Sequence, residues 1–260
     1  MTAAPSSREP AAPGGLGLRA SRWLARRAVR RRLPLRGGVG VVSFTFDDAL
    51  LSACTEGAAV LERRGVRGTY YVAGGLTGAQ ELGRACHTAA ALRDLLAAGH
   101  ELGGHSFAHV RCDRLPAARL REEFDRSDDF LRGLGLPPGP LDFAYPFGAY
   151  AWQVKRLCGE RFRSSRATGG GTQVGWADLD ALRTHRLYLA EPDGVGYAQR
   201  VREAARAGGW LVVNTHEVED GAGPYGCTPA ALDAAVALAQ DLGCRVLPVA
   251  AALEHWTRQA

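Results

Sequence analysis

The chain has 260 residues, 46% of them apolar, enough to bury one large core and to exclude a wholly disordered protein. Its net charge of +5 is misleading: residues 1–36 hold nine arginines and one glutamate, while the remainder carries 23 basic and 26 acidic side chains. The body of the protein is therefore not a nucleic-acid binder, and the positive charge belongs to a tail.

Residues 1–16, rich in Pro, Gly, Ala and Ser, read as disordered. The stretch Ser21 to Arg36 interleaves arginines with Trp23, Leu24, Val29 and Leu33. It reads as a solvated arm that can make weak contact with an anionic membrane surface. Gly37-Gly38 separates this arm, residues 1–38, from a single domain over residues 39–260. No apolar run reaches the roughly 18 residues of a membrane span. No uninterrupted apolar core precedes a small-residue cleavage site either. The expected location is cytoplasmic or peripheral to a membrane.

Within the domain, Val41 to Phe46 predicts a strand, Ser52 to Arg64 a helix stopped by Gly65, and Gly68 to Val72 a second strand. Thr88 to Ala98 predicts a helix stopped by Gly99, followed by a short strand over His100 to Gly103. A long amphipathic helix runs from Pro116 to Leu134, with proline at its start and Gly135 at its end. Leu141 to Tyr145 and His185 to Leu189 predict strands, Tyr197 to Ala207 a helix, and Trp210 to Asn214 an apolar strand. Pro229 to Leu242 predicts a helix, and Arg245 to Val249 a closing strand before a last helical turn or two. This alternation implies a parallel sheet, open or closed into a barrel, with reactive groups at the C-terminal ends of its strands. The six cysteines form no CxxC pair and read as small buried thiols.

Thr45-Phe46-Asp47-Asp48 ends the first strand. Two adjacent carboxylates there are costly unless a positive group lies beside them. Because successive residues leave an extended chain in different directions, one carboxylate can bind a cation while its neighbour faces a substrate. The alternative is a carboxylate pair at the start of the following helix. His105-Ser106-Phe107-Ala108-His109 follows the His100 to Gly103 strand; on a helical turn, this spacing puts both imidazoles on one face. One carboxylate and two imidazoles form the donor set of a catalytic metal site with open positions.

These two motifs resemble those of the polysaccharide deacetylase family, the group that shares the NodB homology domain. TFDD stands intact at Thr45 to Asp48, HSxxH stands intact at His105 to His109, and Gly99-His100-Glu101-Leu102-Gly103 matches the approach to the second motif. The resemblance covers roughly residues 40–255. It implies a distorted (β/α) barrel of about seven parallel strands. It also implies one divalent metal ion on Asp48, His105 and His109, with Asp47 as general base. Zinc suits this donor set, as do cobalt and nickel.

The third family motif, RxPYG, reads Ala144-Tyr145-Pro146-Phe147-Gly148, so the arginine that steadies the catalytic Asp is lost. Arg183 and Arg186 are the candidates to replace it. By the resemblance, the Phe147 backbone N–H helps bind the oxyanion, and Tyr145 and Pro146 border the substrate. Trp210 to His216 carries the last motif: His216 would be the general acid, an imidazole being suited to proton transfer near neutrality. Leu211 and Val213 would help line the acetyl pocket. The fourth motif has no clear counterpart; Trp176, Asp178 and Asp180 read as surface loop residues, and Glu217, Glu219 and Asp220 as an acidic loop beside His216. His87, His100, His185 and His255 read as packing histidines.

The function implied is metal-dependent hydrolysis of an N-acylated amino sugar in a glycan or sugar conjugate, by a deacetylase acting on a linear amide bond. Two alternatives stand beside it: a carbohydrate-binding pseudoenzyme, prompted by the missing arginine, and an amidohydrolase for a non-sugar amide or formamide.

Overall fold

In the computed structural model, which describes residues 15–81, 83–189 and 194–258, the predicted strands form a ring. β1 (Val41–Phe46) is buried at every residue, as a near-continuous apolar run implies when both faces of a strand are covered. β2 (Thr69–Val72), β3 (Glu101–Gly104), β4 (Asp142–Ala144), β5 (Ser164–Gly170), β6 (Leu182–Arg186) and β7 (Trp210–Thr215) follow, each parallel to the one before. β7 pairs with β1 from Trp210↔Val41 through Thr215↔Phe46 and closes a seven-stranded parallel barrel. The expected fold is borne out. An eighth short strand, β8 (Arg245–Val246), pairs with Val41 and Val42, before β2 begins to pair at Thr45. It fills that edge of the base and distorts the ring.

Among the described residues the helices are α1 (Leu16–Arg27), α2 (Ala58–Arg63), α3 (Ala89–Ala97), α4 (Ala117–Gly133), α5 (Trp152–Arg161), α6 (Gly194–Ala207), α7 (Pro229–Asp241) and α8 (Val249–Thr257). The starts of α3 and α7 follow from local chemistry. Thr88 and Thr228 each accept a hydrogen bond at Oγ1 from the backbone N–H three residues on, and Pro229 occupies the first turn of α7. The helix predicted from Ser52 begins instead as a π-helical turn, Ala53–Gly57. Such turns often flank functional sites.

Strand parity divides the core. Val42, Phe44, Phe46, Leu211 and Val213 face the helix layer, in one cluster with Leu92, Phe124 and Val201. Val41, Trp210 and Val212 belong to a second cluster with Leu253 and Trp256 of α8, which closes the base. Trp210 donates its indole N–H to Ser43 Oγ at 3.0 Å across β1 and β7.

Two stretches differ from the sequence reading. Residues 1–14, part of the expected arm, lie outside the described residues, but residues 15–38 are not a free arm. Ser21 Oγ accepts a hydrogen bond from the Trp152 N–H at 3.1 Å, and Arg22 pairs with buried Asp113 at 2.6 Å. Arg32–Pro34 forms an antiparallel ribbon with Trp176–Asp178, while Arg31 pairs with Asp180 at 2.6 Å. Asp180, expected at the surface, is fully buried. The arginines are ordered because acidic partners far along the chain receive them. α5 and β5, not expected from the sequence, complete the ring. β5 reads Ser-Ser-Arg-Ala-Thr-Gly-Gly because its inward positions face a polar interior rather than an apolar one. Among the described residues no helix is long and apolar enough to cross a membrane. All six cysteines are free and buried, as expected.

Candidate active site

Four strands of the ring deliver a motif at their C-terminal ends. β1 delivers Asp47 and Asp48, β3 delivers His105, β4 delivers Tyr145 to Gly148, and β7 delivers His216. Among the described residues, the five non-glycine residues with positive φ are Asp48, Ala49, Ser106, His109 and Phe147. All lie in these loops. Left-handed backbone costs an L-residue roughly 1–2 kcal/mol, and such strain concentrates at functional sites. The 105–109 segment is therefore an irregular loop held by two left-handed residues, not the helical turn its spacing suggested. Ser106 Oγ ties the loop by accepting from the Val110 N–H at 3.1 Å, and Glu123 of α4 accepts from the Ala108 N–H at 2.8 Å.

One ligand atom each from Asp48, His105 and His109 lies within 4.8 Å of the others. His109 Nε2 is 3.1 Å and His105 Nε2 is 3.5 Å from Asp48 Oδ1. Ligands about 2.0–2.2 Å from a tetrahedral ion stand about 3.4 Å apart, so the spacing fits one. His105 donates from Nδ1 to the Ala144 carbonyl at 2.8 Å, which leaves the Nε2 lone pair facing Asp48. Asp48 Oδ1 is buried with no hydrogen-bond partner, a costly state unless a cation is meant to satisfy it. Burial pushes the Asp48 carboxyl up to about 7, with Asp47 and Glu81 adding to the shift and His216 opposing it. Burial lowers the imidazoles of His105, to about 3, and His109. Both are thus held neutral, the form that binds metal. Glu81 stands 4.0 Å from His109 Nδ1, and His87 Nδ1 is 3.2 Å from the Asp48 carbonyl, supporting its left-handed turn.

Asp47 is buried beside this set and paired with the guanidinium of Arg166 on β5. Burial alone would raise the Asp47 carboxyl; Arg166, with His105, His216 and His109, more than offsets this and holds it below its usual range. Arg166 lies across the Tyr71 ring at 4.9 Å and is fully buried. Arg166, not Arg183 or Arg186, therefore supports Asp47. Both candidates extend from β6 to line a neighbouring groove, and Arg186 also borders the cavity over Asp47 and Asp48. Sequence reasoning missed Arg166 because it missed β5.

A cavity of about 550 Å³ opens over the cluster, lined by Asp47, Asp48, Glu81, His105, His109, Phe147, Thr168, Arg186, Tyr188, His216, Pro224 and Tyr225. His216 Nε2 faces Asp48 Oδ2 at 4.0 Å, and its Nδ1 faces the Tyr225 carbonyl at 3.2 Å. Tyr188 and Tyr225 flank the imidazole with ring centres 5.6 and 5.7 Å away, and no sequence signal had marked either tyrosine. Phe147 is exposed, and its ring packs against His109 in a tilted arrangement with centres 4.5 Å apart. Gly148 cannot carry a side chain, since a Cβ there would overlap Thr168 Oγ1.

Four expected substrate contacts are not made by side chains. Leu211 and Val213 face the helix layer rather than the cavity, as alternate residues of a strand must when Trp210 and Val212 face inward. Tyr145 is buried, donates its hydroxyl to the Asp180 carbonyl at 2.8 Å and stacks on Tyr150. Pro146 is buried in the same turn. Glu217 and Glu219, read as part of an acidic loop beside His216, pair with Arg84 at 3.3 and 2.8 Å.

Residues 36–160 match the family model described as polysaccharide deacetylase. The match includes both intact motifs and ends before Arg166 and His216. A chitin deacetylase from Arthroderma benhamiae is 23% identical over 181 residues, which are 69% of this chain and 44% of that protein. The chain thus spans less than half of that curated relative. A protein from Mycobacterium smegmatis assigned to the polysaccharide deacetylases has a similar fold, with a TM-score of 0.61 and 18% identity, covering 89% of this chain and 96% of that one. A carbohydrate esterase family 4 pseudoenzyme from Bacillus anthracis aligns with a TM-score of 0.57 and 15% identity over 84% of this chain and 66% of its own.

Proposed function

Since the chain belongs to the polysaccharide deacetylase family, we propose that it is a metal-dependent hydrolase that removes an acetyl or other acyl group from the nitrogen of an amino sugar. The observation that supports this most directly is the partnerless Asp48 Oδ1 between two neutral imidazoles, with a charged Asp47 beside them.

Asp48, His105 and His109 would hold one divalent ion, with zinc the first choice. Bound there, the ion would polarise the scissile carbonyl and acidify a water. Asp47, kept ionised by Arg166, takes the proton of the attacking water. A general base of this kind contributes about 10²–10⁴ in rate. The backbone N–H of Phe147, a residue that lines the cavity and has a left-handed φ of 60°, would receive the developing oxyanion. His216, across the cavity, returns a proton to the leaving amine. Tyr188 and Tyr225 offer apolar faces to the sugar ring.

The missing third-motif arginine, the motive for a carbohydrate-binding pseudoenzyme, loses its weight because Arg166 supplies the charge from another strand. The test is acetate release from a panel of N-acetylated glycans, with metal content measured in parallel. Asp47→Asn should retain the metal and lose activity by at least 10²-fold. Full activity in that variant would overturn the assignment of the base.

A further inference from the structure

Beside the catalytic cavity runs a second groove of about 720 Å³, and the two share Phe147, Thr168 and Arg186 on their walls. A ligand seated over Asp48 can therefore continue into it. The groove gathers Arg26 and Arg27 from α1 with Arg183 and Arg186 from β6. This concentration does not follow from overall charge, because the chain beyond residue 36 has more acidic than basic groups. Asp178 is the carboxylate on the groove wall, and its charge is already met by buried Lys155 at 2.5 Å. Elsewhere in the arm the arginines reach acidic partners, as Arg22 does with Asp113 and Arg31 with Asp180. Arg26 and Arg27 instead turn into the groove.

The floor is built to present these groups. Gly170, at φ +102°, leaves space that the Arg183 side chain fills, for a Cβ there would stand 2.8 Å from its Cγ. Arg27 lies over the Trp23 ring at 5.3 Å and Arg186 over Tyr188 at 6.0 Å, so aromatic faces set the direction of both. Burial lowers the Arg183 guanidinium from its usual range, with Glu203 opposing the shift and Arg200 adding to it. Arg26, Arg27 and Arg183 bring three guanidiniums to one groove, with Arg186 at its junction with the cavity. They match an anion with oxygens in a plane or fork.

We propose that this groove is a subsite for an acidic group, phosphate or carboxylate, carried by the substrate next to the acylated amino sugar. The natural substrate is then an anionic glycan or sugar conjugate rather than a neutral polymer. The inference rests on the deacetylase reading for the identity of the neighbouring sugar, while the charge recognition itself does not need catalysis.

The test uses the full chain loaded with zinc and three probes: N,N′-diacetylchitobiose, its terminal phosphate ester, and an N-acetylglucosamine–glucuronic acid disaccharide. The ratio of kcat/KM for an acidic probe over the neutral one should be at least tenfold. It should lie mainly in KM and shrink as salt is raised. In the double variant Arg26→Gln/Arg183→Gln that ratio should fall toward one. A preference for either acid upholds the proposal, and the larger of the two names the source of the charge. Equal kcat/KM for all probes, or a preference that survives in the double variant, overturns it. If no probe releases acetate, the deacetylase reading fails separately, and calorimetric binding decides the groove. Tighter binding of the phosphate ester by the wild-type protein than by the double variant upholds it, and equal binding overturns it.

Discussion

Arg166 stands directly opposite Ala144 in the β4–β5 register, and its guanidinium pairs with Asp47. Ala144 is the position at which the resembled motif carries its arginine. The charge beside Asp47, the proposed base, therefore comes from the neighbouring strand. The two residues are adjacent across a ladder, so either can aim a side chain at the same carboxylate.

This exchange is testable in both directions. Arg166→Ala leaves Asp47 buried without its main cation, a change that typically costs 3–5 kcal/mol. Activity at neutral pH should fall by about 10²-fold. Since Arg166 lowers the Asp47 carboxyl, its loss raises it, and the acid limb of the kcat/KM profile should move to higher pH. Adding Ala144→Arg should restore part of the activity and return the limb toward its original pH. An acid limb that does not move in Arg166→Ala would show that Arg166 does not act through Asp47.

Metal content should approach one divalent ion per chain, and chelation should abolish acetate release. Saturating zinc, at about 100 times its Kd, should stabilise the protein by about 2.7 kcal/mol, visible as a rise in Tm. His105→Gln should remove most of that rise while leaving the Tm of the metal-free protein close to its original value. An unchanged zinc-dependent rise in this variant would exclude His105 as a ligand.

Lys155 is buried in α5 and donates to the Ala25 carbonyl at 2.8 Å, the Ala28 carbonyl at 2.7 Å and Asp178 at 2.5 Å. It holds the C-terminal end of α1 through two carbonyls and joins it to the Trp176–Asp178 strand through the third partner. Lys155→Met removes those donors and strands Asp178, so the N-terminal segment should loosen. Limited proteolysis should then cut near Arg26 and Arg27 at least tenfold faster than in the wild-type protein. Equal cleavage rates would mean that the ribbon of Arg32–Pro34 and the contacts of Ser21, Arg22 and Arg31 hold the segment without Lys155.

His87 and His100 are buried and both are lowered from the usual histidine range, burial being the largest cause. The folded state keeps them neutral, whereas the unfolded chain protonates near pH 6.5. Stability is therefore complete above that pH and declines as pH falls through it, by up to about 1.4 kcal/mol per unit for each site. His100 Nδ1 accepts from the Gly68 N–H at 3.0 Å, and Nε2 faces Glu62 at 3.1 Å. Between pH 7.5 and 5 the denaturant midpoint of the wild-type protein should drop relative to that of a variant lacking one of these histidines. The fall should be shallower in His100→Gln, and an identical slope would remove His100 as a contributor.

The parts legible in the sequence are those whose physical signal is local. Apolar runs such as Val41–Phe46 and Trp210–Thr215 announce buried parallel strands. TFDD and HSxxH are contiguous, so the donor set could be read before any geometry was known. The strand β5 was not legible, because a barrel interior near a polar site accepts serine, arginine and glycine where a strand pattern calls for apolar residues. Arg166 was hidden with it. Leu211 and Val213 were misplaced because a run of apolar residues does not state which of its two faces lies inward.

The sequence by itself determined the alternation of strands and helices, the three side chains proposed to hold a metal, and the carboxylate and imidazole flanking them, since each is carried within a few consecutive residues. Only the tertiary structure decided which arginine supports Asp47, that the basic N-terminal segment is pinned to the barrel, and that four of the arginines converge beside the cavity. Those relations join residues more than a hundred positions apart. An ion pair is set by where two side chains end in space, and chain order leaves no trace of that.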